Sequence, residues 1–146
     1  MSATFQPAKR YALFAAHPVA NQLAALLGSR GDVRLAYLFG SLARGKGTAA
    51  SDIDVAVSLG RKMSAGEKQQ FIGDIGAEFG RPVDVVDLES ANGAILGRVF
   101  EEGIRLIDDL ALRERIAARR ANWQTDVAPY LERLRAERRA QWLGRG

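Results

Sequence analysis

The sequence lacks cysteine altogether and carries a single histidine among its 146 residues. Without cysteine it has no disulfide framework, no thiolate nucleophile and no thiolate metal site. Its longest apolar runs are too short for a transmembrane helix. The N-terminal MSATFQPAKRYALF also lacks the order of basic, apolar and small residues found in signal peptides. These absences predict a cytoplasmic protein with no membrane partner.

Two common nucleotide-binding fingerprints are missing as well. The glycines are scattered and form no GxGxxG pattern, which excludes a Rossmann dinucleotide site, and no Walker A lysine motif occurs. No internal repeat or low-complexity linker interrupts the chain, and its length fits a single domain with a substantial core. The only histidine, His17, precedes Pro18 in an expected helix break, so we interpret it as a surface or turn residue and not as a catalyst.

Positive charge is concentrated towards the C-terminal end. Residues 1–109 carry twelve Lys or Arg against thirteen Asp or Glu, whereas residues 110–146 carry nine Arg, no Lys and four acids. Such a tail fits nucleic acid, an acidic protein surface or a solvated helix face. Nucleic acid is the least favoured partner, because acids and apolar anchors are interleaved with the arginines.

The hydrophobic pattern predicts an α+β fold. Helices are expected over residues 7–27 with a break near Pro18, over 64–80, over 91–103 and from 110 onward, and strands over 33–39, 52–59, 82–88 and 104–107. The loop between the first two strands is too short for a crossover helix, so these strands should be antiparallel. A small mixed β-sheet backed by helices accommodates this order of elements.

Two aspartates interrupt the second apolar strand. Side chains at i and i+2 share a strand face, so Asp52 and Asp54 project together while Ile53 turns away. Adjacent carboxylates repel each other unless a cation lies between them. Mg²⁺ suits such a pair, because it can share the two carboxylates with substrate phosphates. The pair therefore predicts a magnesium site, although an isolated Asp-x-Asp is more often an ordinary strand-end feature.

A third acid is expected beside this pair. Asp84 lies between valines in the next strand, and Asp87, three residues on, must face the other side of a regular strand. We choose Asp84, because an acid near a strand end, as Asp87 is, commonly caps the end or is solvated. Three acids can hold two metal ions, of which one activates a hydroxyl nucleophile and the other neutralises a triphosphate and its leaving pyrophosphate.

The loop after the first strand has the residues of a phosphate site. Gly40 allows close approach of the backbone to a ligand, and Ser41 offers a backbone N–H and a hydroxyl to phosphate oxygens. Arg44 and Lys46 follow and add positive charge. Each feature alone is commonplace. Together, a Gly-Ser after a strand, an Asp-x-Asp ten residues later and a third strand aspartate predict a site for metal and nucleotide.

The stretch GSLARGKGTAASDID resembles the signature of the polymerase-β-type nucleotidyltransferase superfamily. The short chain, the ten-residue spacing and the motif VDVVDL are most similar to the minimal nucleotidyltransferases of the MntA type, which are antitoxins to HEPN-domain ribonuclease toxins. The resemblance covers residues 33–107 and implies the polymerase-β-type fold. By position it implies phosphate binding by Gly40 and Ser41, metal ligation by Asp52 and Asp54, and activation of the nucleophile by Asp84.

The same resemblance implies ATP and Mg²⁺, with transfer of AMP to a hydroxyl that is a partner tyrosine in the antitoxin members. Three alternatives remain: a small-molecule nucleotidyltransferase of the aminoglycoside-modifying kind, a non-catalytic nucleotide-binding antitoxin that acts by occlusion, and a nucleotidyltransferase of RNA or DNA ends. The first usually carries an additional helical domain, for which this chain has little room. The intact motif argues against the second, and the third would use the Arg-rich tail.

A C-terminal helical arm completes the expected organisation. Residues 1–109 are predicted to form the minimal nucleotidyltransferase domain, and residues 110–146 an arm that binds the partner through Arg, Trp and Tyr side chains. Pro129 is expected to kink or divide the arm. The alternative is that the first part of its apolar stripe covers the domain's own sheet. The stripe consists of Leu112, Ile116, Trp123, Val127, Tyr130, Leu131 and Leu134.

Overall fold

The computed structural model describes residues 17–48 and 50–144, and the part of the first predicted helix before residue 17 lies outside them. None of the described helices combines the length and apolar character needed to cross a membrane. The elements in chain order are α1 (Pro18–Arg30), β1 (Leu35–Phe39), β2 (Ile53–Ser58), α2 (Ala65–Phe79), β3 (Val83–Asp87), α3 (Gly93–Glu102), β4 (Ile104–Ile107), α4 (Leu110–Asn122), a π-helical turn (Trp123–Val127) and α5 (Ala128–Gly144).

The four strands form one mixed sheet in the order β3-β2-β1-β4. β1 runs antiparallel to both β2 and β4, and β2 runs parallel to β3. The antiparallel β1–β2 pair follows from the short loop between these strands, whereas the parallel β2–β3 pair has α2 as its crossover helix. The predicted α+β fold, a small mixed sheet backed by helices, is therefore confirmed.

Both faces of the sheet are covered by helices, because neighbouring side chains of a strand point to opposite faces and both sets are apolar. One face packs on α1 and α2, and the other on α3 and α4. By the same alternation, Asp54 and Asp84 lie on the second face. Its buried cluster includes Leu35, Tyr37, Phe39 and Ala56 from the strands and Leu96, Val99, Leu112 and Ile116 from the helices.

Helix caps tie the layers together. Ser64 and Glu67 form the predicted capping box at the start of α2. Asp109 caps α4 by accepting a bond from the backbone N–H three residues on, and it accepts another from Arg34 (2.7 Å) just before β1. The Arg34 guanidinium holds the pKa of the Asp109 carboxyl below its usual range. The stability that this tie adds is therefore present at neutral pH and lost when acidification protonates the carboxyl.

The C-terminal helical segment divides in two. Leu112 and Ile116 are buried in the second cluster, so α4 covers the domain's own sheet, which was the alternative for the first part of the stripe. The π-helical turn (Trp123–Val127) then precedes Pro129, which lacks the N–H that a regular α-helix needs. The irregularity lies just before the proline, and the backbone stays helical on both sides of it. Beyond it, none of the described side chains of α5 is buried, and Trp142 is 76% exposed.

Candidate functional site

Three carboxylates lie near the same end of the sheet. Asp54 and Asp84 are directly paired across the parallel β2–β3 ladder, so their side chains point to the same face, and Asp52 lies just before β2. Asp54 is partly buried, whereas Asp52 and Asp84 are exposed. Burial raises the pKa of Asp54, and the charges of Asp84 and Asp52 raise it further. The structure thus brings together the three acids that the sequence singles out.

The donor chemistry of these acids suits a hard divalent cation such as Mg²⁺. Carboxylate oxygens are the ligands such a cation prefers, and a cation beside Asp54 would offset the repulsion that raises the pKa of this group. Within residues 17–48 and 50–144, no group of three or more His, Cys, Asp or Glu side chains is arranged so that it could hold a metal ion by itself. Asp52, Asp54 and Asp84 are suitable donors by their chemistry, and their role as metal ligands stays a prediction.

Asp87 points away from the three acids. Its Oδ2 accepts hydrogen bonds from the Met63 amide (2.9 Å) and the Ser90 hydroxyl (2.6 Å). Its Oδ1 accepts another from the Glu89 amide (3.0 Å). These bonds organise the loops at the end of β3, which is the capping role expected of a strand-end acid. The alternation of side chains along β3 therefore places Asp84 and Asp87 on opposite faces of the sheet.

Gly40 lies directly against the Asp54 carboxylate. Its backbone has φ +76°, a left-handed conformation that residues with side chains rarely adopt. A Cβ at this position would overlap Asp54 Oδ2 and would lie 3.1 Å from Asp54 Cγ. Glycine is therefore required both by the backbone and by the neighbour, and it places the loop after β1 beside the acids. Ser41, the next residue, is partly buried at the start of this loop.

The two basic residues of this loop have different surroundings. Arg44 Nη1 donates to Glu102 Oε2 of α3 (3.0 Å), so its guanidinium is held in an ion pair. Lys46 is exposed, and its amide closes the turn on the Ser41 carbonyl (3.0 Å). The phosphate-binding role expected of both side chains stays a prediction, and Arg44 already has a carboxylate partner.

Two side chains that sequence reasoning did not select hold the loops around the acids. His17 caps α1 by accepting a backbone N–H at Nδ1 (3.2 Å), so its Nε2 donates to the Leu42 carbonyl (3.0 Å) in the loop after β1. Arg81 Nε donates to the Ser51 carbonyl (3.0 Å), next to Asp52. Both contacts join residues distant in the chain, and no local pattern signals them.

A family model described as Polymerase beta, Nucleotidyltransferase matches residues 21–110, which are more than half of the chain and include all three acids. The chain belongs to this family. It is a nucleotidyltransferase, and the resemblance seen in its sequence is confirmed. Among curated protein sequences, none matches it significantly.

Solved structures of toxin–antitoxin complexes share the fold of this nucleotidyltransferase. A chain of a toxin–antitoxin crystal structure with AMP-PNP aligns with a TM-score of 0.62 and 27% identity over 83% of this chain and 93% of that chain. A chain of the toxin–antitoxin structure MntA–HepT aligns with a TM-score of 0.58 and 25% identity over 84% and 92%. The same four values hold for a tri-AMPylated Shewanella oneidensis HEPN toxin in complex with an MNT antitoxin.

Proposed function

We propose that this nucleotidyltransferase uses ATP and Mg²⁺ to transfer AMP to a tyrosine hydroxyl of a cognate HEPN ribonuclease toxin, and that it acts in the cytoplasm as the antitoxin. The observation that carries the proposal is the position of Asp54, which is paired with Asp84 in the sheet, is electrostatically coupled to Asp52 and packs against Gly40. The fold is similar to a toxin–antitoxin structure with AMP-PNP. A further similar complex contains a tri-AMPylated HEPN toxin, which supports a protein as the acceptor.

The three acids would divide the chemistry between them. Asp52 and Asp54 would hold Mg²⁺, which when bound neutralises charge on the triphosphate and the leaving pyrophosphate. The acceptor oxygen attacks the α-phosphorus of ATP, the bond to the β-phosphate breaks, and pyrophosphate leaves with the bonding electrons. Asp84 takes up the acceptor's proton, directly or through one water. Its exposure leaves it accessible to a hydroxyl presented by another protein.

The loop after β1 would bind the triphosphate. Because Gly40 packs against Asp54, a phosphate bound by the Ser41 N–H and hydroxyl would lie close to the metal ligands. Lys46 is exposed on the same loop and would add a cation. Oxygens bound by the metal and oxygens bound by the loop would then be held side by side, which is the positioning that phosphoryl chemistry needs.

The proposed transfer is tested by mixing this protein with Mg²⁺, labelled ATP and a HEPN-domain protein, which is sought first among the neighbouring reading frames. We expect the partner to become labelled by ATP that carries the label in its α-phosphate and not by ATP that carries it in its γ-phosphate, because the γ-phosphate leaves with pyrophosphate. A partner that is inhibited but carries neither label would support occlusion and contradict the proposed transfer. Label that passes to an aminoglycoside and not to the partner would support a small-molecule enzyme.

The segment beyond the π-helical turn is the part of the proposed arm that would bind the partner. In α5, Tyr130 is 53% exposed, Trp142 76% and Leu143 69%. Arg138, Arg139, Trp142 and Leu143 lie next to one another on one side of α5, and arginine and aromatic residues are enriched in interfaces. The proposed organisation is a nucleotidyltransferase domain of residues 1–109 and an arm of residues 110–146, in which α4 anchors the arm on the core.

Truncation after Thr125 is expected to abolish partner binding and transfer without unfolding the protein. It removes α5 but keeps α4, which contributes the buried Leu112 and Ile116. The shortened chain should bind Mg²⁺-ATP in calorimetry, yet neither pull down nor label the toxin. In the full chain, Trp142→Ala should weaken the pull-down and the neighbouring Gln141→Ala should not.

Two outcomes would contradict the arm as a partner-binding element. The first is loss of the cooperative thermal transition in the shortened chain, which would show that α5 supports the fold. The second is unchanged pull-down of the toxin by the shortened chain, which would place the interface elsewhere. The Trp142→Ala variant separates these cases, because an exposed side chain contributes little to stability.

A further inference from the structure

One side of α3 faces the loop after β1. Glu102, in the last turn of this helix, accepts a hydrogen bond from Arg44 Nη1 (3.0 Å). Arg98 precedes Glu102 by four residues, so the two side chains lie on the same side of the helix. This side of α3 therefore borders the loop that carries Gly40 and Ser41.

Arg98 lies over the end of the sheet that carries the acids. Its guanidinium carbon is 5.8 Å from the centre of the Phe39 ring, and Phe39 is the cross-strand partner of Asp54. The positive charge of Arg98 accordingly opposes the rise in the pKa of Asp54 that burial, Asp84 and Asp52 cause. The guanidinium is therefore within electrostatic reach of the acids that would hold Mg²⁺.

Arg98 differs from Arg44 in having no carboxylate of its own. Arg44 is paired with Glu102. Arg98 is exposed and, in the part of the chain that the structure describes, forms no ion pair and lies over the Phe39 ring. A guanidinium above an aromatic face keeps its N–H donors available at its edges. Arg98 can therefore reach a ligand by side-chain rotation, whereas the ion pair between Arg44 and Glu102 must break before Arg44 can do so.

We propose that Arg98 binds the phosphate tail of ATP, while the Arg44–Glu102 pair fixes the loop after β1 against α3. This inference rests on the proposed function of the acid site as an ATP site. The triphosphate would then lie between the loop on one side and α3 on the other. A guanidinium binds phosphate oxygens bidentately, so it orients the triphosphate as well as attracting it. Arg98 thus becomes a substrate-binding residue outside the Gly-Ser and Asp-x-Asp motif.

The test compares Arg98→Gln and Arg98→Lys with Lys68→Gln, which removes the same charge from the exposed side of α2 on the other face of the sheet. Binding of ATP and of AMP in the presence of Mg²⁺ is measured by calorimetry, and folding by thermal melting. Arg98→Gln should raise the Kd for ATP by about tenfold or more, as expected for lost hydrogen bonds to a charged group. The Kd for AMP should rise less, and Arg98→Lys should recover part of the affinity.

The outcomes separate this inference from the function on which it rests. If the wild-type protein binds ATP and Arg98→Gln binds it equally well, Arg98 does not contact the phosphates and the inference fails while the proposed function stands. If Lys68→Gln loses as much affinity as Arg98→Gln, the effect is one of net charge and the inference also fails. If the wild-type protein binds no ATP, the proposed function fails, and the inference that rests on it fails as well.

Discussion

Replacing Asp54 by alanine is expected to abolish AMP transfer and to leave the fold intact. Asp54 is the central acid of the site, since it is paired with Asp84 across the sheet and is close enough to Asp52 for both charges to raise its pKa. Loss of its oxygens removes a ligand that Mg²⁺ would share with ATP. The same change relieves repulsion and burial of a charge in the ligand-free protein, so Tm should hold or rise.

The measurement is a rate of label transfer from ATP to the toxin, beside a thermal melt of each variant. Asp52→Ala should behave as Asp54→Ala does, because the two carboxylates are expected to hold one cation. Glu78→Ala, which removes an exposed acid from α2, is the control and should keep the wild-type rate. Transfer at the wild-type rate in either aspartate variant would contradict the metal assignment.

Asp84→Asn is expected to lower the transfer rate by roughly 10²–10⁴-fold, the range associated with loss of a positioned general base. The asparagine has the same shape but does not accept a proton from the acceptor hydroxyl. Asp84 is exposed, so Tm should change little. A single-turnover assay with saturating Mg²⁺-ATP measures this chemical step apart from nucleotide binding.

Asp87→Asn is the matched control on the same strand. Its carboxylate accepts hydrogen bonds from Met63, Ser90 and Glu89. The asparagine side chain replaces one acceptor oxygen by an NH₂ group, so the free energy of unfolding should fall by about 1–3 kcal/mol. The transfer rate should stay near that of the wild type at a temperature where the variant is folded. If Asp87→Asn slowed transfer more than Asp84→Asn, the assignment of the third acid would be wrong.

Local patterns were sufficient to predict the strands and the shared face of the acids. Period-two alternation places Ile53 in one buried cluster and Asp54 on the opposite face, and it separates Asp84 from Asp87. Ser64 marks the start of α2 through its capping box. These features depend on residues close in the chain, whose relative positions in space follow directly from their spacing along a strand or helix.

The contacts that complete the candidate site could not be predicted, because their partners are distant in the chain. Arg44 and Glu102 are 58 residues apart, and Arg81 is 30 residues from Ser51. An arginine on a helix surface carries no local signal of what it faces, so no sequence pattern singles out Arg98. Helical spacing likewise cannot show that the first part of the C-terminal stripe is buried and that the later part is not, since both parts have the same period.

Intact-mass spectrometry of the HEPN toxin tests the central claim most directly. The toxin is incubated with this protein, Mg²⁺ and ATP and re-isolated, and its intact mass is measured. Parallel samples lack ATP or contain the Asp54→Ala variant in place of the wild-type protein. The account predicts that the toxin gains mass in steps of one AMP only in the sample with the wild-type protein and ATP. Its ribonuclease activity should fall as the added mass appears. An inhibited toxin of unchanged mass, or an equal gain with Asp54→Ala, would contradict it.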